Sequence, residues 1–202
     1  MDGKSLRGAI RVDDHCVHLI SALYDDGIVL AQREVDAKHD EITAFGPLLN
    51  PLDLTGRVAT FDALLTQTDH ARFLVEKKDA HCIAVLKGNR PNLQALVKEL
   101  PRKEVLLLER TRAAAHDRDE IRRLKVVHRA GAAFRADRAL RVVRRRQPAR
   151  TAKVPIECVY AVTSLTAHEA VPADLAECKH VRPAAVLPLC RYAGRSGDRL
   201  VR

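Results

Sequence analysis

Residues 57–91 read RVATFDALLTQTDHARFLVEKKDAHCIAVLKGNRP. Gly56 breaks the chain ahead of this stretch, and Arg57 to Phe61 (RVATF) is a short apolar run of strand formers that ends at Asp62. Asp69 to Lys78 carries Ala71, Leu74 and Val75 at helical spacing, which predicts a helix with those residues turned inward. His81 to Leu86 (HCIAVL) is a second apolar strand, closed by the turn residues Lys87-Gly88-Asn89-Arg90-Pro91. Upstream, Cys16 to Tyr24 (CVHLISALY) and Ile28 to Val35 (IVLAQREV) flank Asp25-Asp26-Gly27, whose Asp-Gly step signals a hairpin. Asp40 reads as the N-cap of a helix over 41–49 with Ile42, Phe45 and Leu48 or Leu49 on one face. Asn92 to Leu100 reads as a further helix. The order β-β-α-β-α-β-α predicts an α/β domain with a mixed sheet and flanking helices. Beyond residue 100, Ile121 to His128, Ala139 to Val143 and Val159 to Ser164 read as strands, and the chain from Cys178 onward reads as irregular.

A chain of 202 residues, 47% of them hydrophobic, is long enough for one domain with a real core. No apolar run approaches the roughly 18–20 residues that span a bilayer. Met1 to Arg11 lacks the apolar core of a signal peptide, so a cytoplasmic, membrane-free protein is expected. The five cysteines are Cys16, Cys82, Cys158, Cys178 and Cys190. Their odd number, long spacings and lack of a CxxC pair point to reduced thiols. Cys178-Lys179-His180 offers two metal ligands without a second pair.

Charge is uneven. Residues 1–100 hold 12 Lys/Arg against 15 Asp/Glu, residues 101–150 hold 16 against 6, and residues 151–202 hold 7 against 5. The formal charge of +9 therefore comes from one 50-residue stretch that ends in Arg144-Arg145-Arg146. Such a stretch suits contact with a nucleic-acid backbone. It equally fits a solvated Arg-rich surface, and charge alone leaves both readings open.

The candidate chemistry lies in two carboxylates. Asp2 opens Asp2-Gly3-Lys4-Ser5-Leu6-Arg7-Gly8, and Asp62 closes the run Arg57 to Phe61. If the two strand ends were neighbours, the carboxylates would repel unless a proton or a metal ion stood between them. Clusters of carboxylate oxygens bind Mg²⁺. Two such ions about 3.5–4 Å apart activate the attacking oxygen and stabilise the leaving oxygen of a phosphodiester. A single strand-end Asp is also a common turn cap.

The octapeptide resembles the DGKxLRG motif of bacterial insertion-sequence transposases of the ISAs type, also called H-repeat-associated proteins. The resemblance continues through Val17 to Ala22 (VHLISA), Glu34 to Thr43 (EVDAKHDEIT), Thr60 to Ala63 (TFDA), Leu86 to Pro91 (LKGNRP) and Val159 to Leu165 (VYAVTSL). It covers residues 2 to about 177 in order. It implies a ribonuclease H-like domain with a DDE-type site, two aspartates and a glutamate holding Mg²⁺ or Mn²⁺. Asp2 matches the first aspartate and Asp62 the second, both as metal ligands. Lys4, Lys87 and Asn89 match polar positions expected to approach DNA. His116, Arg118, Glu120 and Arg122 match a polar strand pattern in an inserted region. Alternate strand residues share a face, so Arg118 and Arg122 are candidates for DNA contact or for a solvated surface.

The resemblance divides the chain into residues 1–100, the first part of the catalytic domain, and residues 101–150, an inserted basic β-rich region. Residues 151–177 supply a return strand and helix, and residues 178–202 an irregular tail unlike the family. In the family the third acid falls in a His-Trp-x-x-Glu-Asn motif; here the match stops at Cys178, and no acid occurs between Glu177 and Asp198. Pro183 and Pro188 would break a continuing helix. Glu157 is expected at the far end of its strand, with Glu169 and Glu177 better placed but more simply helix-surface residues. A reading-frame shift after residue 177 is one expectation, which the underlying DNA tests. Only Met1 precedes Asp2, so the first strand, central in the family sheet, is expected to be largely missing, with its two ladders of hydrogen bonds. The chain is thus expected to be an inactive transposase fragment truncated at both ends. Its parent family cleaves DNA and transfers a 3′-hydroxyl, with transposon ends and target DNA as partners, oligomers possible, and a nucleoid-associated location. The alternative is a non-enzymatic basic DNA-binding protein.

Overall fold

The computed structural model describes residues 3–10, 16–24, 27–36, 40–88, 90–99, 109–115, 118–131, 136–148, 156–171, 175 and 187–191. One sheet runs through all of it. Its strands are β1 (Gly3–Ile10), β2 (Cys16–Tyr24), β3 (Val29–Val35), β4 (Arg57–Phe61), β5 (His81–Leu86), β6 (Glu109–Ala115), β7 (Arg118–Gly131), β8 (Ala136–Pro148), β9 (Ile156–Thr163) and β10 (Leu187–Arg191). Hydrogen bonding links the strands in the path β1-β2-β10-β4-β5-β9-β8-β7-β6, with β3 also paired to β2. The helices are α1 (Asp40–Leu49), α2 (Thr68–Arg72) and α3 (Pro91–Glu99). The chain is α/β with a mixed sheet, as the alternation predicts.

Local chemistry accounts for most of these elements. The β2–β3 hairpin turns at Gly27, which sits at φ 92°, a conformation that costs glycine nothing. The Tyr24 N–H to Ile28 carbonyl bond of 2.8 Å closes it. β4 and β5 are buried along nearly their whole length, which is why they read as unbroken apolar runs rather than alternations. They pair in parallel, Val58 opposite His81 through Phe61 opposite Ala84. The helix expected over 69–78 starts at Thr68, and from Phe73 to Lys77 it widens into a π-helical turn.

Side-chain alternation splits the core in two. Ala59, Phe61, Cys82, Ala84, Leu86 and Val162 face α1 and the α2 region. Val58, Ile83, Val85, Leu140, Val142 and Val159 form the opposite layer with Leu165, Ala170 and Leu175. In the first layer Phe45 is fully buried, stacked on His70 with ring centroids 3.9 Å apart and edge-on to Phe61 at 5.7 Å.

Two expectations are corrected. The tail is not irregular throughout, because Leu187–Arg191 forms β10. The expected gap at the first strand is filled. β1 lies along β2 from Gly3 opposite Ile20 to Ile10 opposite Cys16, and β10 pairs with Ala22 to Tyr24 on that same edge. A strand has two edges, and β3 occupies the other, so β1 and β10 share one file. β10 also pairs antiparallel with β4, from Leu189 opposite Ala59 to Arg191 opposite Arg57, and so joins the hairpin to the central strands. After β9, residues 164–171 turn, and Leu175, the next described residue, is helical, with its N–H 3.4 Å from the Val171 carbonyl. The inserted region supplies β6, β7 and β8, which extend the same sheet.

Candidate functional site

Asp62 follows directly from β4 and is partly buried. Its Oδ1 accepts the Leu65 N–H at 3.1 Å, so the carboxylate caps the turn behind it. The Thr66 hydroxyl, on a residue 0% exposed, lies 2.7 Å from the Asp62 carbonyl and 2.8 Å from that of Val85. Its single hydrogen is shared between the two, tying the loop after β4 to the end of β5. Arg90 completes the bracket. Its Nε donates to the Thr66 carbonyl at 2.9 Å and its guanidinium to the Gln67 side chain. Cation and amides thus fix the loop that presents Asp62.

Register places the neighbouring strand ends. Leu189 pairs with both Tyr24 and Ala59, so those residues stand level. Because β2 and β4 run in opposite directions, Phe61 is level with Ala22 and the next position, Asp62, with Ser21. Gly3, at the start of β1, pairs with Ile20, one residue farther along. The first described residue of β1 is therefore beside the end of β4. Asp2 itself lies outside the described residues, as do Asn89, His116, Glu177, Cys178 and His180. Lys4 stands opposite Leu19 in β1. Lys87 is exposed immediately after β5, at the sheet end that Asp62 occupies. Arg118 pairs with Ala115 and Pro148, and Arg122 with Thr111 and Arg144, several strands away.

The strand order reverses the expectation for the glutamates. β9 runs antiparallel to β5, Leu86 opposite Tyr160 and Ile83 opposite Thr163. Glu157 therefore lies toward the Asp62 end of the sheet, and the chain after Thr163 emerges at the opposite end. There Glu169 accepts the Thr166 N–H at 2.7 Å and donates its own N–H to the Thr166 hydroxyl at 3.3 Å. Its carboxylate stands 4.0 Å from His81. Burial pushes the Glu169 carboxyl up, but the Thr166 bonds, His81 and Arg138 outweigh it and hold it below the usual range. Glu169 caps a turn and is remote from Asp62. Among the described residues no three His, Cys, Asp or Glu side chains come together to hold a metal ion.

Several built interactions carry no sequence signal. Arg138 belongs to the basic stretch yet is 2% exposed, and it donates to the carbonyls of Leu165 at 2.6 Å and Ala170 at 2.8 Å. It is a clamp on the turn after β9. Glu41, 2% exposed, meets His18 Nε2 at 2.7 Å and joins α1 to β2. His70 lies with Nδ1 2.8 Å from the Leu65 carbonyl and Nε2 3.0 Å from the Ile42 carbonyl. A neutral imidazole donates to one of these, an imidazolium to both. Burial is the stronger influence and lowers the His70 pKa. Cys82 is buried, and burial pushes its thiol up to about 11, which makes it inert. Neither Cys82 nor Cys158 is in a disulfide.

Comparison with known proteins gives the chain its relatives. It is 38% identical over 102 residues to the "Putative transposase YncI" of Escherichia coli O157:H7, covering 49% of this chain and 26% of that protein. It is 34% identical over 130 residues to the "H repeat-associated putative transposase YhhI" of Escherichia coli K12, covering 60% of this chain and 34% of that protein. The match to "Putative protein YbfL" of the same strain is 35% over 130 residues, with the same coverage. The chain thus spans between a quarter and two fifths of the curated relatives first matched. No protein-family model and no solved structure matches. The resemblance to H repeat-associated transposases is borne out by relatives bearing that description.

Proposed function

We propose that this chain is part of an insertion-sequence transposase of the H-repeat-associated type, with a ribonuclease H-like sheet, and that its partner is DNA. The observation that carries the proposal is the register at the end of β4. Gly3 of the DGKxLRG-like segment starts β1 one residue from the level of Asp62, on the adjoining file. In this proposal Asp2 and Asp62 hold Mg²⁺ or Mn²⁺, which when bound activates a water or 3′-hydroxyl for attack on a phosphodiester. The chain's own contribution is positional. The Leu65 amide and the shared Thr66 hydroxyl set the Asp62 carboxylate, and Arg90 holds that loop rigid. Lys4, Lys87 and Asn89 would meet DNA near the acids, and the basic strands β6–β8, on which Arg118 and Arg122 lie, would grip its backbone. Transposon ends and target DNA are the proposed substrates, with a nucleoid-associated location.

The copy is proposed to lack strand-transfer activity, because Glu169 stands at the opposite sheet end and no acid occurs between Glu177 and Asp198. That also supports a second reading, a basic protein that binds DNA without cutting it. A Mg²⁺-dependent cleavage assay on supercoiled plasmid, with wild type and Asp62→Asn, separates them. No cleavage by either is the expected result. Cleavage by wild type that Asp62→Asn abolishes would overturn the inactive assignment and support the metal site. Absence of any DNA binding would remove both readings.

A further inference from the structure

The basic stretch does not form one basic surface; the ladders sort its charges onto two faces. Residues directly opposite in an antiparallel pair lie on the same side of the sheet, and successive residues alternate. On one side, Arg112, Ile121 and Arg145 form a row across β6, β7 and β8. Arg110, Arg123 and Val143 form the next, and Lys125 and Arg141 the third. These three rows hold six cations and no acid. The row beyond them brings in a single acid, Asp119, beside Ala114 and Gln147.

The other side, counted through β9, is more nearly balanced. It carries Arg118, Arg122, Arg138, Arg144 and Arg146 together with Glu109, Glu120 and Glu157. Glu120 is opposite Arg146, and Arg144 opposite Glu157, so cations and acids are neighbours in the ladder.

Burial separates the faces as well. On the balanced side Leu124, Val126, Leu140 and Val142 are all buried. On the basic side Arg123 is exposed, and Ile121, Lys125, Val127 and Val143 are partly exposed. β9 continues that side with Ile156 opposite Arg145 and Cys158 opposite Val143, both exposed. At the margin Lys98 of α3 lies over the Tyr160 ring at 5.8 Å, and Tyr160 is opposite Arg141. The location is also specific. Leu86 is level with Tyr160, Arg141 and Lys125, so the other two basic rows project past the end of β5. Asp62 and Lys87 stand at that end.

We infer that the face of β6–β8 bearing Arg110, Arg112, Arg123, Lys125, Arg141 and Arg145 is the surface that holds the DNA phosphate backbone. The opposite face serves packing and charge pairing. Rows about 7 Å apart on strands about 5 Å apart make a flat grid of positive charge, which suits a sequence-independent phosphate contact. This inference rests on the DNA-binding reading above and adds which surface does the binding.

The test measures the salt dependence of affinity for a short random-sequence DNA duplex. The basic-face variant carries Arg123→Gln, Arg141→Gln and Arg145→Gln. The balanced-face variant carries Arg122→Gln, Arg144→Gln and Arg146→Gln. Each lost phosphate contact lowers the slope of log K against log salt by about 0.9. The basic-face variant should therefore lose about 2.7 from the slope and the balanced-face variant less than about 1. A charge-conserving set, Arg123→Lys, Arg141→Lys and Arg145→Lys, should keep the wild-type slope, and a loss there would overturn an electrostatic role. An unchanged slope in the basic-face variant, or a larger drop in the balanced-face variant, would overturn the assignment of the face while DNA binding stood. Wild type with no duplex affinity at low salt would remove the underlying reading itself.

Discussion

Thr66→Val is the sharpest probe of how the Asp62 loop is held. Valine matches threonine in shape, so the exchange creates no cavity and removes only the hydroxyl. That hydroxyl is fully buried and lies 2.7 and 2.8 Å from the Asp62 and Val85 carbonyls. Leaving a buried acceptor without its donor costs about 1–3 kcal/mol, and the methyl group gained offsets part of that. A loss of about 2 kcal/mol is expected, or about 4–8 °C in Tm for a domain of this size. Thr66→Ser keeps the donor and loses one methyl group, about 1 kcal/mol. Thermal and urea unfolding of the three proteins decides it. The Leu65 amide should also exchange faster with solvent in the valine variant. A valine variant within 0.5 kcal/mol of wild type, or one more stable than the serine variant, would refute the idea that this hydroxyl ties β4 to β5.

Three further outcomes are expected. Glu41→Ala should destabilise by about 1–3 kcal/mol, since it breaks the part-buried 2.7 Å hydrogen bond with His18, and Glu41→Gln by about 1; urea unfolding with a His18→Phe double-mutant cycle checks the coupling. Arg138→Met should cost about 2 kcal/mol and raise proteolysis between residues 164 and 171, and Arg138→Lys should not rescue it, because one ammonium cannot span two carbonyls held by Nε and Nη1. Burial lowers the His70 pKa, so below its ordinary value near 6.5 the unfolded chain binds a proton that the folded chain resists. Stability should then fall as pH drops from 7 through that value, and His70→Gln should flatten the slope in urea titrations at stepped pH.

The elements that were legible are those whose signal is local. The runs at 57–61 and 81–86 are buried on both sides, so their sequences are apolar throughout and could be read directly. The Asp-Gly turn at residues 26 and 27 names its own hairpin, and Gly27 adopts the positive φ it requires. β6 was missed because ERTRAAA has almost no strand-forming residues, and what makes it a strand is its ladder to β7. β10 was missed because Pro188 removes a ladder donor, which argues against a central strand. Arg138 looked like one more exposed cation, since burial of an arginine depends on carbonyls 27 and 32 residues away.

By itself the sequence determined the α/β alternation, the resemblance to H repeat-associated transposases and the candidate acids Asp2 and Asp62, because periodicity, turn chemistry and motifs are properties of neighbouring residues. Only the tertiary structure decided which strands share an edge. That choice set β1 and β10 end to end beside β4, sent the chain after β9 away from Asp62, and sorted the arginines of the basic stretch by face. Pairing and register depend on contacts between residues far apart in sequence. A shift of one residue in register moves every side chain of a strand to the other face.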